Sequence, residues 1–467
     1  MVFSSLEFIF IFLPIFLLIY YKLPARFRNL FLLIGSLAFY FYGCRATPFY
    51  FALLLLSIVF NWAMGLFIAP RTQDKGSKPL LIVGIVANLG LLFLYKYCGF
   101  LFGAVNSLSG SKVLPEIHWA LPLGISFYTF MNLAYLIDVY RGTIRPERSP
   151  LRYATFAAFF PKVTSGPITT WQELDAPLSR RGISMARLDN GLRDFILGLG
   201  LKVLLANQIG GLWNQLGMIG YDSISTPLAW LGSLSFSLNL YFDFYGYSLM
   251  AVGVGKMLGF RLPDNFHHPY VSRTMTEFWR RWHMTLGAWF RNYLYIPLGG
   301  NRCSRGRQIL NLLIVWLATA VWHGAGWNYL LWGLFLFAIL CSERFFTMGA
   351  LNGDSLASRI GSHVYMIVLI MLQWTIFALT DVKELGVYLG RLFGIGHAMD
   401  KLDFVRYLGS YGWKLGLGIL FATPLPRKLF RPIRNTVLGT LILFAIFAAA
   451  IYCISIGSND PFMYFNF

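Results

Sequence analysis

Residues 309–340 read ILNLLIVWLATAVWHGAGWNYLLWGLFLFAIL. No Asp, Glu, Lys or Arg interrupts them, and a single histidine, His323, stands near the middle. About 20 apolar residues are enough to cross the hydrocarbon core of a bilayer. The stretch is therefore read as two spans, 308–326 and 327–345, meeting at the glycines of AVWHGAGW. That reading decides the fold class: an all-α, polytopic transmembrane protein.

The rest of the chain agrees. Of 467 residues, 57% are hydrophobic and 13% charged, about half the charge of an average soluble chain. This excludes a water-soluble enzyme, a disordered chain and a secreted disulfide scaffold. An outer-membrane barrel is excluded too, because its strands alternate apolar and polar residues over about ten positions. Further spans are expected at 5–21, 29–43, 48–69, 79–95, 120–137, 190–213, 229–258, 360–380, 411–425 and 436–457, for 11–12 in all. Met1–Tyr21 has no basic leader and no small-residue cleavage site, so it reads as a retained span.

Charge sets the orientation. Lys and Arg number 39 against 20 Asp and Glu, a balance of +19. Basic clusters lie at Lys22/Arg26/Arg28, Arg71/Lys75/Lys78, Arg141/Arg145/Arg148/Arg152, Arg261–Arg307 and Arg427/Lys428/Arg431/Arg434. With these spans all five share one side, which the positive-inside rule makes the cytoplasm. No nucleic-acid module is visible, so the expected polyanionic neighbours are membrane lipids, with room for a polyanionic substrate. Cysteines 44, 98, 303, 341 and 453 stand singly, so neither a disulfide framework nor a metal site is expected. The longest polar connection, 381–410, is too short to fold alone. A single domain over 1–467 is expected, with its active site in 100–345.

Two stretches are not plain spans. FAAFFPKVTSGPITTW (156–171) is apolar but broken by Pro161, Gly166 and Pro167. Broken backbone at membrane depth is tolerated where protein or a watery cavity covers it, so it reads as a re-entrant segment lining a cavity. His267–Arg307 carries seven arginines and one acid, Glu277, interleaved with Phe278, Trp279, Trp282, Trp289, Phe290, Tyr293 and Tyr295. That composition describes amphipathic helix in the interface. A lipid anchor explains most of it, but not His283 inside WRRWH.

Among seven histidines, His118, His363 and His397 lie near span ends, and His267 and His268 precede a proline. All five read as solvated or interfacial. His323 differs, because an ionisable residue at membrane depth is a functional-site hypothesis by default. Burial would keep it uncharged, as a general base requires. A structural histidine bonded to a neighbouring helix is the competing reading. Asp243 (YFDFYGYS) and Asp138 (LIDVYRG) lie in or beside apolar runs, where either would orient a histidine or cap a helix; Asp138 also has Arg141 nearby. No GxxxxGK[ST], GxSxG or HExxH is present, nor GxGxxG in a strand context. What remains suits acyl transfer: arginines that hold a coenzyme A thioester and a neutral histidine that deprotonates an acceptor hydroxyl. A transporter using His323 as a proton relay is the competing class, and it would more often show matching repeated halves, which are not seen.

At these residues the sequence resembles the membrane-bound O-acyltransferases (MBOATs), above all the bacterial alginate-type polysaccharide O-acetyltransferases. The resemblance is carried by MVFSSLEFIFIFLPIF at the start, LPLGISFYTF (121–130), YLIDVYRG (135–142), SGPI (165–168), LYFDFYGYS (240–248), TEFWRRWHMTLGAWFRNYLYIPLGGNR (276–302), VWHGAGWNYLLWG (321–333) and RLFG (391–394). It implies His323 as the catalytic histidine, His283 as the second active-site histidine, and a tunnel admitting the donor from the cytoplasm. Candidate donor contacts are Arg280, Arg281, Trp282 and Arg291; candidate supporting residues are Asp243, Asp138 and Trp322. The implied reaction needs no bound cofactor. It moves acetyl from acetyl-CoA across the inner membrane to a polysaccharide, or to a periplasmic SGNH-type acetyltransferase partner on another polypeptide. A D-alanyl or other acyl transferase of the same fold is the alternative, disfavoured by PLGGNR. One departure stands out: the subgroup usually has an acid after GYS, and here Leu249 follows Ser248.

Overall fold

A computed structural model describes residues 2–69, 76–117, 119–396 and 400–457. Arg71, Lys75, His118 and His397, singled out above, lie outside the described residues. Among the described residues the regular structure is helical throughout, with no strand. Among the described residues, six helices are long and apolar enough to span a bilayer: Phe49–Ile68, Lys78–Ser109, Met185–Ile219, Trp327–Thr347, Leu356–Ala378 and Val437–Ile456. The chain packs as two compact units, Met1–Phe195 with Ser248–Pro263, and Ile196–Tyr247 with Asp264–Phe467.

The first unit holds α1 (Leu13–Lys22), α2 (Arg28–Gly43), α3 (Phe49–Ile68), α4 (Lys78–Ser109), α5 (Ile125–Tyr140), α6 (Pro150–Ala158), α7 (Phe160–Val163), α8 (Trp171–Ser179) and the start of α9 (Met185–Gly200). The span expected at 79–95 continues through Lys96 to Ser109, because nothing breaks the helix until Gly110 turns left-handed at φ +66°. Polar side chains join the apolar helices. Asn61 and Asn88 exchange amide hydrogen bonds of 3.1 and 2.7 Å between α3 and α4. Asn132 on α5 donates to Ser57 and accepts from Tyr153. In lipid such bonds hold helices together where apolar burial cannot. The outward faces of α3 and α4 stay apolar, with Leu56, Val59, Val83 and Val86 exposed.

The broken stretch 156–171 forms the end of α6, the single turn α7 and an extended run into α8. Residues 156–169 are all buried, the condition that makes non-helical backbone tolerable. Ser36 Oγ accepts the Phe160 N–H at 3.1 Å. Thr170 and Glu173 form a capping box that restarts the helix. Gly124 makes the close approach possible. Its φ is +69°, and a Cβ there would stand 2.0 Å from the Val163 carbonyl oxygen.

The second unit contains α10 (Asn207–Ile219), most of α11 (Thr226–Met257), α12 (Met275–Arg281), α13 (Met284–Phe290), α14 (Arg305–His323), α15 (Trp327–Ser342), α16 (Met348–Leu351), α17 (Leu356–Ala378), α18 (Val382–Leu392), α19 (Asp403–Ala422), α20 (Leu425–Ile433) and α21 (Val437–Ile456). Helices α14 and α15 form the hairpin expected from residues 308–345. The arginine-rich stretch is divided into short helices. His268 and His283 adopt left-handed backbone at φ +47° and +42°; His268 precedes the short turn of helix at Pro269–Val271, and His283 separates α12 from α13. Several of its aromatics, Phe278, Trp282, Trp289 and Phe290, are buried in protein.

Candidate active site

His323 is the last residue of α14 and is 5% exposed. Its ring packs against Trp322, Trp332 and Phe377 at centroid distances of 4.9, 5.2 and 5.1 Å, edge to face in each case. Such T-shaped packing aims a positive ring edge at a negative ring face and holds the imidazole in one orientation. The helix can stop here because residue 324 has no side chain. A Cβ on Gly324 would lie 2.1 Å from Cε2 of Tyr329. Next to it, Asn328 Nδ2 donates to the Phe377 carbonyl at 2.8 Å and ties α15 to the end of α17.

His283 precedes α13 and is 1% exposed. Its Nδ1 lies 3.3 Å from Oδ1 of Asn265. That oxygen also accepts from the Thr285 backbone N–H (3.3 Å) and hydroxyl (2.7 Å), while the Asn265 carbonyl takes the Met284 N–H (2.9 Å). An amide oxygen only accepts, so Nδ1 carries the ring proton and Nε2 carries the lone pair. Burial pushes the His283 pKa from 6.5 down to about 3, which makes the imidazole neutral. Phe244 stands edge-on to this ring at 4.8 Å. Trp322 lies 6.1 Å from it and 4.9 Å from His323, so one indole touches both imidazoles.

Around the pair is a shell of rings. Trp279 meets Trp316, Trp332 and Trp374 at 5.0, 5.6 and 6.0 Å, and Trp282 meets Trp374 at 4.7 Å. Trp282, a candidate donor contact, is 2% exposed and also packs on Phe266; any effect it has on a ligand is transmitted through this packing. Arg280 and Arg291 are exposed. Arg281 is part-buried and pairs with Glu277 at 2.5 Å. Asp243 is fully buried, its carboxylate 2.6 Å from the Lys202 ammonium. Asp138 belongs to the first unit; it is buried and its backbone carbonyl accepts from Thr143 N–H and Oγ1.

Three residues here escaped the sequence reading. Asn265 sets the His283 tautomer, Lys202 balances Asp243, and Glu343 holds the N-terminus of α12. Glu343 is wholly buried and accepts from Met275 N, Thr276 N and Thr276 Oγ1 at 2.5, 2.8 and 2.7 Å. Only ERFF (343–346), an acid beside a base in an apolar neighbourhood, offered any signal for it.

A helical membrane protein that buries two imidazoles against a shared indole has the parts of a proton-transferring acyltransferase. The chain belongs to the membrane-bound O-acyltransferase family: residues 143–380 match the family model. It is similar to a probable alginate O-acetylase AlgI of Azotobacter vinelandii, 33% identical with the whole of each chain covered. The similar protein of Pseudomonas aeruginosa is 37% identical over 85% of this chain and 75% of its own. A peptidoglycan O-acetyltransferase of Helicobacter pylori is 35% identical over 82% and 78%. The chain is thus a membrane-bound acyltransferase.

Proposed function

We propose that this enzyme takes acetyl from cytoplasmic acetyl-CoA and delivers it across the inner membrane to an envelope polysaccharide, directly or through a periplasmic SGNH-type partner protein. The observation that carries the reading is the pair of buried histidines, 283 and 323, both in ring contact with Trp322. The names of the similar proteins, probable alginate O-acetylase and peptidoglycan O-acetyltransferase, support a glycan acceptor.

In this mechanism His323 removes the proton of an acceptor hydroxyl as its oxygen attacks the thioester carbonyl. The C–S bond then breaks, the thiolate leaves, and it takes the proton from His323 to become the free thiol. No charge is left on the imidazole at the end of the cycle. His283, held as the Nδ1–H tautomer by Asn265, presents Nε2 as an acceptor that orients a donor group near the reaction. The aromatic shell keeps bulk water from competing for the thioester. The exposed Arg280 and Arg291, with Arg281, meet the phosphates of coenzyme A.

The test uses purified protein in nanodiscs with acetyl-labelled coenzyme A. Removing a general base typically costs about 10²–10⁴-fold in rate, so His323→Ala is expected to lose acetyl transfer to that extent while expression and monodispersity hold. Wild-type turnover in that variant removes His323 from the mechanism. Replacing Arg280 and Arg281 together by Ala is expected to raise the KM for acetyl-CoA, and an unchanged KM returns the segment to lipid anchoring.

A further inference from the structure

The first unit contains a cavity of about 480 Å³ that the mechanism above does not use. It lies where the end of α8, the start of α9 and the turn after α11 come together. Five cations line it: Arg180, Arg181, Arg187, Lys256 and Arg261. No carboxylate lines it among the described residues. Among the described residues, Lys256 alone of the five has a carboxylate partner, Asp194.

The cavity is built, not merely a sparse basic surface. Arg181 is fixed by Tyr20 and Asn29: its Nε donates to the Tyr20 hydroxyl at 2.6 Å and its Nη1 to Asn29 Oδ1 at 2.6 Å. The Phe260 ring lies 4.8 Å below the guanidinium. Its Nη2 is buried and makes no hydrogen bond. Arg187 is braced against the Gly182 carbonyl at 2.6 Å. A guanidinium does not shed its proton in a protein, so the charges cannot be relieved by titration. Four guanidinium groups, none with a carboxylate partner among the described residues, line this half-open cavity and offer the forked donors that recognise a phosphate.

We infer that this cavity binds a phosphate group, supplied either by an anionic lipid headgroup or by a soluble phosphorylated compound. The site stands apart from the histidines in the chain, and the inference holds whether or not the acyl-transfer reading does.

The full chain, purified in neutral detergent and depleted of anionic lipid, is titrated with inorganic pyrophosphate at constant ionic strength while its unfolding temperature is read. In parallel it is placed in phosphatidylcholine nanodiscs with and without phosphatidylglycerol. The expected result is a saturable rise in unfolding temperature with at least one of the two probes. Replacing the exposed Arg180 and Arg261 by Gln is expected to raise the half-saturating concentration about tenfold, a loss of about 1.4 kcal/mol. Arg181→Gln, at the braced guanidinium, is expected to do the same. Replacing Lys428 and Arg431, exposed cations of α20, by Gln should leave the titration unchanged. A response to pyrophosphate supports a soluble phosphate compound, and a response to phosphatidylglycerol alone supports a lipid headgroup. No response to either probe overturns the site, as does a response that the Arg180/Arg261 variant shares equally with the α20 control.

Discussion

His283 is held in left-handed backbone, which costs a non-glycine residue about 1–2 kcal/mol; the hydrogen bonds around Asn265 offset that cost and orient the ring. Its neutrality has a measurable consequence. Between about pH 3 and 6.5 the unfolded chain binds a proton at this position that the folded chain refuses. Stability is therefore complete above pH 6.5 and is lost as the pH falls toward 3. The unfolding temperature is expected to drop on acidification from pH 7 to 4, and less steeply in His283→Gln. An identical slope in the variant would show that the ring titrates normally. Asp243 and Lys202 make the second residue-scale case. Breaking a buried pair strands a charge at a cost of about 3–5 kcal/mol. Asp243→Asn should lower thermal stability in detergent by that order, and Lys202→Met combined with Asp243→Leu should recover most of it. The sequence showed Asp243 as an acid among aromatic neighbours but hid its cation, 41 positions away on another helix.

Among the elements, α12 depends most on its surroundings. It is two turns long, and an isolated helix of that length is unstable in water. Thr274 caps it from within the segment, its Oγ1 accepting the Glu277 N–H at 3.0 Å. Glu343, which follows the last residue of α15, accepts two more of its free N–H groups. The negative charge also suits the positive end of the helix. Hydrogen bonds to a charged group are worth about 1.5–3 kcal/mol, so Glu343→Gln is expected to destabilise the protein by an amount of that order. It should also reduce acetyl transfer, since α12 leads directly into His283. A variant with native unfolding temperature would remove Glu343 from this role. Helix interiors were legible from apolar runs, whereas helix ends were less so. The α4 overrun to Ser109 and the break between α12 and α13 at His283 were set by backbone conformation, and no apolar pattern encodes that.

For the whole molecule, the positive-inside rule applied to the spans read from the sequence predicts that the basic clusters face the cytoplasm. The prediction uses single cysteines in a background lacking the native five. With a membrane-impermeant maleimide, Lys383→Cys is expected to react in intact spheroplasts and Arg145→Cys only after permeabilisation. Labelling of both in intact spheroplasts would break the assignment of spans. Exposed apolar residues such as Val437, Leu441 and Phe444 on α21 fit a face that meets lipid rather than water.

The amino-acid sequence by itself determined that this chain is a membrane-embedded helical protein, where its broken segments lie, and which two histidines to watch. Those properties follow from local hydropathy, from prolines and glycines at particular positions, and from short motifs around His283 and His323. Only the tertiary structure decided what surrounds them: Trp322 against both imidazoles, Asn265 on one, Lys202 paired with Asp243, Glu343 at the N-terminus of α12, and the cation-lined cavity. Each of these joins residues brought together by packing, and the free energy of packing depends on distances through space that no run of neighbouring residues records.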